Sequence, residues 1–247
     1  MLAKFGSTRS SIKANHALLT AESFERVTQP GWADADFIYV ISPQMGARFS
    51  MALVEPHGTS QVTIEPSELA RFLFVLDGRV GVEADGKSHE LGAEHFLFLP
   101  PSLAASISYA EGGRFVLYQW RFISADGHYP ALVTGHSSER PSSALRGDET
   151  LQVQKLLPED VVFDGEFNLM SFEPGASLAY VETHFMEHGL LFLDGGGIYR
   201  LDENWYPVQK GDFIWMGPHV PQWFGALGRQ KSRYLIYKNY NRSPMAG

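Results

Sequence analysis

The sequence predicts an all-β protein of two jelly-roll β-barrels related by internal duplication. Three observations predict this class: short apolar runs that end in turn residues, a pattern that recurs at a fixed offset, and weak helical spacing everywhere outside residues 158–162. The chain has 247 residues, a length that suits two domains of roughly 120 residues each. Hydrophobic residues make up 44% of the chain, which is enough to bury a substantial core.

The predicted strands are runs of four to seven residues rich in Phe, Tyr, Val, Ile and Leu. Short antiparallel strands at this density favour a sandwich or a barrel, and a jelly roll protects its own edge strands. Turns rich in Gly, Asp and Asn separate the runs, among them Asp77-Gly78, Asp85-Gly86, Asp194-Gly195-Gly196-Gly197, Asp202-Glu203-Asn204 and Lys210-Gly211-Asp212.

A repeated pattern indicates the duplication. Leu-Asp-Gly occurs at 76–78 and again at 193–195, an offset of 117 residues. Three further pairs keep nearly the same offset: Glu55-Pro56 with Glu173-Pro174, Phe98-Leu99-Pro100-Pro101 with Trp215-Met216-Gly217-Pro218, and Leu117-Tyr118 with Leu235-Ile236-Tyr237. Four pairs in register indicate a duplicated unit.

The duplication divides the chain into three predicted segments. Residues 1–135 comprise an N-terminal extension and a first barrel, 136–158 form a polar linker rich in Ser and Pro, and 159–247 form the second barrel. We expect the extension to pack across a barrel.

Composition and charge exclude several classes of protein. The net charge is −8 and no basic stripe occurs, which argues against a nucleic-acid or anionic-membrane partner. No cysteine is present, so disulfides and thiolate metal ligands are excluded. No apolar run approaches the ~18 residues of a membrane span, and no apolar run follows the basic N-terminus. We therefore expect a soluble, cytoplasmic protein without a signal peptide.

A candidate metal site lies in the second half of the chain. Glu182 and His184 are two residues apart and share one face of a strand, and His188 opens the next apolar run. Gln222 follows the turn after Gly217 and can return to the same point. Two imidazoles, a carboxylate and an amide oxygen suit a divalent ion such as Mn, Fe, Ni or Zn. This set leaves coordination positions open for substrate or water.

A lone histidine on a strand is more often an ordinary surface or core residue, but two histidines and a glutamate at this spacing favour metal binding. His219 lies near Gln222 in a turn, and we place it outside the ligand set.

The first repeat offers an internal comparison. The offset of 117 residues aligns the four ligand positions with Glu65, Ser67, Arg71 and Ala105. Three of four ligands are lost there, so we expect the first barrel to be metal-free.

These residues resemble the cupin metal signature, with Glu182 at its first His position, His188 at its Glu position and Gln222 at its last His position. This variant and the bicupin layout resemble the (S)-ureidoglycine aminohydrolase family of purine degradation. The similarity covers most of the chain and is strongest from about residue 165 to 242. The motifs that carry it are Glu-Thr-His-x-x-Glu-His-Gly at 182–189, Ser171-Phe172-x-Pro174-Gly175-Ala176, Leu201-Asp202-x-Asn204-Trp205 and Val208-x-Lys210-Gly211-Asp212.

The resemblance implies a manganese enzyme that releases ammonia from (S)-ureidoglycine and gives (S)-ureidoglycolate. It implies a C–N hydrolase of the amidine type that acts in allantoin degradation. Carried onto this chain, it implies the metal ligands Glu182, His184, His188 and Gln222. It further implies that Tyr199, Tyr234 and Lys238 line the substrate pocket. Tyr234 and Lys238 are four apart on the last strand, so they share a face.

In the expected mechanism, the metal positions a small carboxylated substrate and neutralises its charge. Gln222 is expected to contact the substrate as well as the metal. Lys238 offsets the carboxylate charge, a phenol from Tyr199 or Tyr234 donates a hydrogen bond, and Glu182 is the candidate general base. Two alternatives stay open: another metal-dependent cupin enzyme, such as a dioxygenase or isomerase, and a non-catalytic small-molecule-binding cupin. We expect a homo-oligomer.

Overall fold

The computed structural model describes residues 6–125 and 127–245, and their regular structure is almost entirely β. The all-β class predicted from the sequence is confirmed. The strands of the first half are β1 (Ser11–Ile12), β2 (His16–Leu19), β3 (Val27–Thr28), β4 (Ala35–Ile41), β5 (Phe49–Pro56), β6 (Ser60–Ile64), β7 (Leu69–Asp77), β8 (Arg79–Ala84), β9 (Lys87–Gly92), β10 (His95–Leu99), β11 (Ala105–Tyr109), β12 (Arg114–Arg121) and β13 (Val133–His136).

The strands of the second half are β14 (Ser142–Leu145), β15 (Asp148–Lys155), β16 (Glu166–Phe172), β17 (His188–Asp194), β18 (Gly196–Leu201), β19 (Asn204–Gln209), β20 (Phe213–Met216), β21 (Gln222–Ala226) and β22 (Ser232–Lys238). Short 3₁₀ turns occur at Ala21–Ser23, Pro43–Met45 and Ser137–Glu139. Across the described residues, no helix is long and apolar enough to cross a membrane.

The chain forms two compact units. The N-terminal barrel comprises the described residues of 25–140 together with 156–164, and the C-terminal barrel comprises those of 6–24, 141–155 and 165–245. In the N-terminal barrel, a seven-stranded sheet has the order β13-β10-β7-β12-β5-β4-β3 and a four-stranded sheet has the order β6-β11-β8-β9. Both sheets contribute apolar side chains to one core, which includes Phe37, Leu73, Val82 and Ile107.

The C-terminal barrel repeats this topology. Its larger sheet has the order β1-β2-β20-β17-β22-β16-β15-β14, and its smaller sheet has the order β19-β18-β21. The run β20-β17-β22-β16-β15 matches β10-β7-β12-β5-β4 of the N-terminal barrel strand for strand. Residues 117 positions apart in the sequence therefore occupy equivalent positions in the two barrels, as the repeat predicts. The C-terminal core includes Phe172, Leu190, Ile214 and Phe224.

The compact units divide the chain differently from the predicted boundaries. The extension, predicted with the first barrel, adds β1 and β2 to the edge of the C-terminal sheet, where His16 pairs with Met216. Arg9 anchors the extension, because its guanidinium donates bidentate hydrogen bonds of 2.7 and 2.8 Å to the carboxylate of buried Asp212. The predicted linker at 136–158 contains β14 and β15, which extend the same sheet. Both differences arise from long-range strand pairing, which local composition does not show.

The two Leu-Asp-Gly repeats form the same bulged turn. In each barrel the ladder between neighbouring strands shifts register at this point, next to Asp77 in one case and Asp194 in the other. Gly78 and Gly195 adopt left-handed φ values of 71° and 66°. A Cβ atom on Gly78 would lie 2.8 Å from both the carbonyl oxygen of Gly112 and the Cα of Gly113. Glycine is therefore required there for space as well as for backbone conformation.

We expect Gly78→Ala to lower the free energy of unfolding by about 1–3 kcal/mol more than Gly86→Ala does. Gly86 has a similar φ of 68°, but an added Cβ meets no described atom within 4 Å. The pair therefore separates crowding from backbone strain. Urea unfolding followed by tryptophan fluorescence measures the difference as a shift in midpoint. Equal shifts for the two variants would show that crowding at Gly78 contributes nothing.

Candidate active site

A cavity of about 300 Å³ lies inside the C-terminal barrel. The residues predicted as metal ligands and pocket residues all line it: Glu182, His184, His188, Tyr199, Gln222, Tyr234 and Lys238. A larger hollow of about 690 Å³ lies beside the β8–β9 turn of the N-terminal barrel, but its described lining residues include no histidine. The cavity in the C-terminal barrel is therefore the candidate active site.

Backbone hydrogen bonds fix the segment that carries the first two predicted ligands. Glu182 and Gln222 form an isolated antiparallel bridge with N–O distances of 2.8 Å in both directions. The backbone amide of His219 donates to the carbonyl of His184 at 2.7 Å, and the hydroxyl of Thr183 donates to the carbonyl of His219 at 3.0 Å. His219 therefore holds the segment through its backbone, and its place outside the ligand set stays a prediction.

Three of the four predicted ligands meet at one point. The Nε2 atoms of His184 and His188 are 3.2 Å apart, and the side-chain amide nitrogen of Gln222 lies 3.0 Å from His184 Nε2. Ligands that hold one ion at about 2.0–2.2 Å lie roughly 3 Å from their neighbours. The spacing of these side chains therefore fits a single divalent cation. An amide binds a cation through its oxygen, so Gln222 would have to turn its Oε1, which here accepts from Tyr199 Oη at 3.2 Å, toward the two histidines.

Burial keeps both imidazoles neutral. Burial lowers the pKa of His188 well below its ordinary value, and the positive charges of a protonated His184 and of Lys238 would add to this effect. Burial also lowers the pKa of His184, against the opposing charge of Glu182. His188 Nδ1 lies 3.3 Å from the carbonyl oxygen of Tyr237 and donates to it, so the lone pair of the neutral ring is on Nε2. A metal ligand needs this protonation state.

Two buried phenols line the cavity, and one of them, Tyr199, contacts the amide of Gln222. Burial, followed by the charge of Glu182, raises the pKa of Tyr199 above its ordinary value. Burial also raises the pKa of Tyr234 well above its ordinary value, and Tyr199 and Glu182 add to this. Both phenols therefore stay protonated at neutral pH and act as hydrogen-bond donors. Their rings pack with centroids 6.5 Å apart.

Glu182 has a different partner in this structure. Its carboxylate lies 3.0 Å from the guanidinium of Arg146, and that guanidinium stacks over the ring of Tyr180 at 4.6 Å. Within the described part of the chain, no three His, Cys, Asp or Glu side chains group closely enough to hold a metal on their own. Glu182 as a fourth ligand therefore stays a prediction, and it requires the carboxylate to turn away from Arg146.

A buried glutamate that the sequence patterns do not single out, Glu187, supports the site. The carboxylate of Glu187 accepts a hydrogen bond from Trp215 Nε1 at 2.8 Å, and its backbone amide donates to Asn239 Oδ1 at 2.6 Å. These bonds fix the backbone immediately before His188. No local pattern indicates this role, because Glu187 precedes β17 and its partner Trp215 lies 28 residues away in the sequence.

The N-terminal barrel holds a cation at the position equivalent to His188. Arg71 is buried, and its guanidinium donates to the carbonyl of Leu69 at 3.3 Å and to the hydroxyl of Ser67 at 3.4 Å. Burial lowers its pKa from the ordinary value, although an arginine stays charged at neutral pH. A metal-free N-terminal barrel stays a prediction, for which the charge of Arg71 supplies the physical reason.

Comparison with known proteins assigns the chain to a family. It is 40% identical to a probable (S)-ureidoglycine aminohydrolase of Oryza sativa subsp. japonica over 97% of this chain and 78% of that protein. It is 36% identical to an (S)-ureidoglycine aminohydrolase of Escherichia coli strain K12 over 96% of this chain and 93% of that protein. The chain belongs to the (S)-ureidoglycine aminohydrolase family. None of the protein-family models searched matches it.

Solved structures agree with this family. The Escherichia coli protein Ylba superposes with a TM-score of 0.85 and 32% identity, over 96% of each chain. A mutant of Bacillus subtilis oxalate decarboxylase superposes with a TM-score of 0.68 over 96% of this chain and 79% of that one, at 11% identity. The second likeness concerns the fold alone. The bicupin fold predicted from the sequence is confirmed.

We expect Tyr199→Phe to weaken Mn²⁺ binding about 10- to 100-fold, because the phenol that orients the amide of Gln222 is lost. Isothermal titration calorimetry with Mn²⁺ on metal-stripped protein measures this. Tyr240→Phe is the matched control, since Tyr240 lines the same cavity but is half exposed. Equal Mn²⁺ affinities for the two variants would show that Tyr199 does not orient a metal ligand.

Proposed function

We propose that this protein is a metal-dependent hydrolase that releases ammonia from (S)-ureidoglycine and gives (S)-ureidoglycolate. The observation that carries the proposal is the meeting of His184, His188 and Gln222 in one cavity, in a chain that belongs to this family over nearly its whole length. The proposed reaction is a step of purine and allantoin degradation. A cytoplasmic location and a homo-oligomeric state are part of the same proposal.

The proposed metal ligands are His184, His188, Gln222 and Glu182, and the proposed ion is Mn²⁺. A bound divalent ion would supply Lewis-acid polarisation and a template for the substrate. The neutral imidazoles suit this task because their lone pairs are available without loss of a proton. The absence of thiolates and the mix of nitrogen and oxygen donors are compatible with manganese.

The chain's own residues bind and orient the substrate in this proposal. The ammonium of Lys238 offsets the charge of the substrate carboxylate, and Tyr199 and Tyr234 donate hydrogen bonds to substrate oxygen or nitrogen atoms. Glu182 accepts a proton from the water that attacks the amine-bearing carbon. The C–N bond breaks as the C–O bond forms, and the departing nitrogen leaves as ammonia with a proton that originates from that water.

Ammonia release tests the proposal directly. We expect the Mn-loaded protein to accelerate ammonia release from (S)-ureidoglycine, generated in situ because it decays, and to yield (S)-ureidoglycolate. His184→Ala should abolish the acceleration, since it removes the imidazole that lies between His188 and Gln222. If wild-type protein with measured bound metal released ammonia only at the spontaneous rate, the proposed function would be refuted. Oxygen consumption in the same assay would instead favour a dioxygenase.

Glu182→Gln tests the general-base role. We expect it to lower kcat by about 10²- to 10⁴-fold, because a neutral amide cannot take the proton of the attacking water. Metal content measured by atomic absorption should stay near that of the wild type if the other three ligands suffice. Full turnover at full metal content would exclude Glu182 as the base. Loss of the metal would assign it as an essential ligand instead.

A further inference from the structure

A two-residue turn at the cavity carries an arginine. Arg146 and Gly147 join β14 to β15, and both have positive φ values, of 54° and 83°. Positive φ at both positions is the pattern of a type I′ hairpin turn, which favours Asn, Asp or Gly because other side chains are strained there. The chain has an arginine at the first position, and this arginine lines the cavity. A strained residue beside a candidate active site indicates a function beyond the turn itself.

The guanidinium of Arg146 is oriented by two neighbours. It stacks over the ring of Tyr180, with Cζ 4.6 Å from the ring centroid, and Nη2 lies 3.0 Å from Oε1 of Glu182. Stacking engages the face of the guanidinium and directs its N–H groups outward in the plane. The side chain of Arg146 is 50% exposed and that of Glu182 is 19% exposed. The pair therefore stands between the cavity and solvent.

The carboxylate of Glu182 marks a place where a carboxylate fits against Arg146. The proposed metal-ligand set requires Glu182 to leave this place and turn toward His184 and His188. The planar fork of an arginine can then take a second carboxylate through parallel N–H bonds. The ammonium of Lys238 offers no such fork, since it is a compact charge that already lies 3.4 Å from Glu166. Arg146 is thus suited to orient a carboxylate that Lys238 only attracts.

We propose that Arg146 is a further specificity-determining residue, which exchanges the carboxylate of Glu182 for the carboxylate of the substrate when Glu182 turns to the metal. This inference rests on the proposed function, from which it takes Glu182 as a metal ligand and a substrate with one carboxylate. It adds a substrate contact outside the predicted pocket residues. The exchange also sets an order, because Arg146 receives the substrate only after Glu182 has left.

Arg146→Asn tests the substrate contact, because it removes the guanidinium and supplies a residue that the turn favours. We expect KM for (S)-ureidoglycine to rise about 10- to 100-fold while kcat changes less than about threefold, since a charge-assisted contact to a non-reacting group is lost. The urea midpoint should equal or exceed that of the wild type, because Asn relieves backbone strain. An unchanged KM would overturn the inference. A lowered midpoint with a matching rise in KM would assign Arg146 to the fold instead.

Mn²⁺ affinity tests the exchange itself. Calorimetry on metal-stripped protein should show Arg146→Asn binding Mn²⁺ about two- to tenfold more tightly than the wild type, because no ion pair has to break before Glu182 turns. The double variant Glu182→Gln with Arg146→Asn should bind Mn²⁺ as Glu182→Gln does, because the pair is absent from both. Equal or weaker Mn²⁺ binding by Arg146→Asn than by the wild type would overturn the exchange, and weaker binding would show that the arginine supports a metal ligand.

The matched control is Arg200→Asn. Arg200 lies in the same barrel and also stacks over an aromatic ring, with Cζ 5.7 Å from the centroid of Trp205. The described lining of the cavity does not include it. Its KM should stay within about twofold of the wild type, because its charge is not directed at the substrate. A tenfold rise in KM for this control would show that any lost arginine weakens binding and would overturn the specific role of Arg146.

A non-reacting anion separates this inference from the proposed function. Oxamate, a small monocarboxylate with an amide, can be titrated calorimetrically into the Mn-loaded wild type and Arg146→Asn. Weaker oxamate binding by the variant would support the inference even if the wild type released no ammonia. Normal ammonia release, with KM and oxamate affinity independent of Arg146, would overturn the inference alone. A wild type that neither binds oxamate nor releases ammonia would overturn both.

Discussion

The register of β17 is the constraint on which the site depends. His188 is the first residue of this strand, where it lies opposite Met216 on β20 and Lys238 on β22. A slip of one residue would turn its imidazole to the other face of the sheet, away from the cavity. The bulged turn after Leu193 fixes the other end of the strand, because the pairing with β22 shifts register there. Only a glycine fits at position 195, since a Cβ atom would lie 2.8 Å from the Cα of Ser232.

The strand next to β17 is secured from outside the local sequence. β20 lies between β17 and β2, so the N-terminal segment covers what would otherwise be an exposed edge. Arg9 binds Asp212 at the start of this strand, and His16 Nε2 contacts Tyr206 Oη at 2.9 Å. The buried bond from Trp215 to Glu187 then joins β20 to the residue before His188. Segment 6–24 thus supports the ligand-bearing backbone without entering the cavity.

Local patterns in the sequence predict part of the fold and part of the site. Turn dipeptides and the offset between Leu-Asp-Gly repeats predicted the all-β duplicated fold. The alternation of a strand predicted that Glu182 and His184 share a face, and the structure places His184 with His188 and Gln222. The pairing of β2 with β20, the role of Glu187 and the bond between Glu182 and Arg146 could not be predicted. Each depends on residues brought together from distant parts of the chain.

Electrostatics divides the cavity wall into a neutral part and a charged part that act on each other. The neutral part consists of two imidazoles, an amide and two phenols, and burial holds each titratable member uncharged. Lys238 belongs to the charged part, yet its positive charge lowers the pKa of both His184 and His188. The same ammonium therefore keeps the neighbouring lone pairs free of protons, and in the proposed function it also offsets the charge of the substrate carboxylate. Glu166 lies between this ammonium and that of Lys155 on the adjacent strand, and its ionised carboxylate pairs with both.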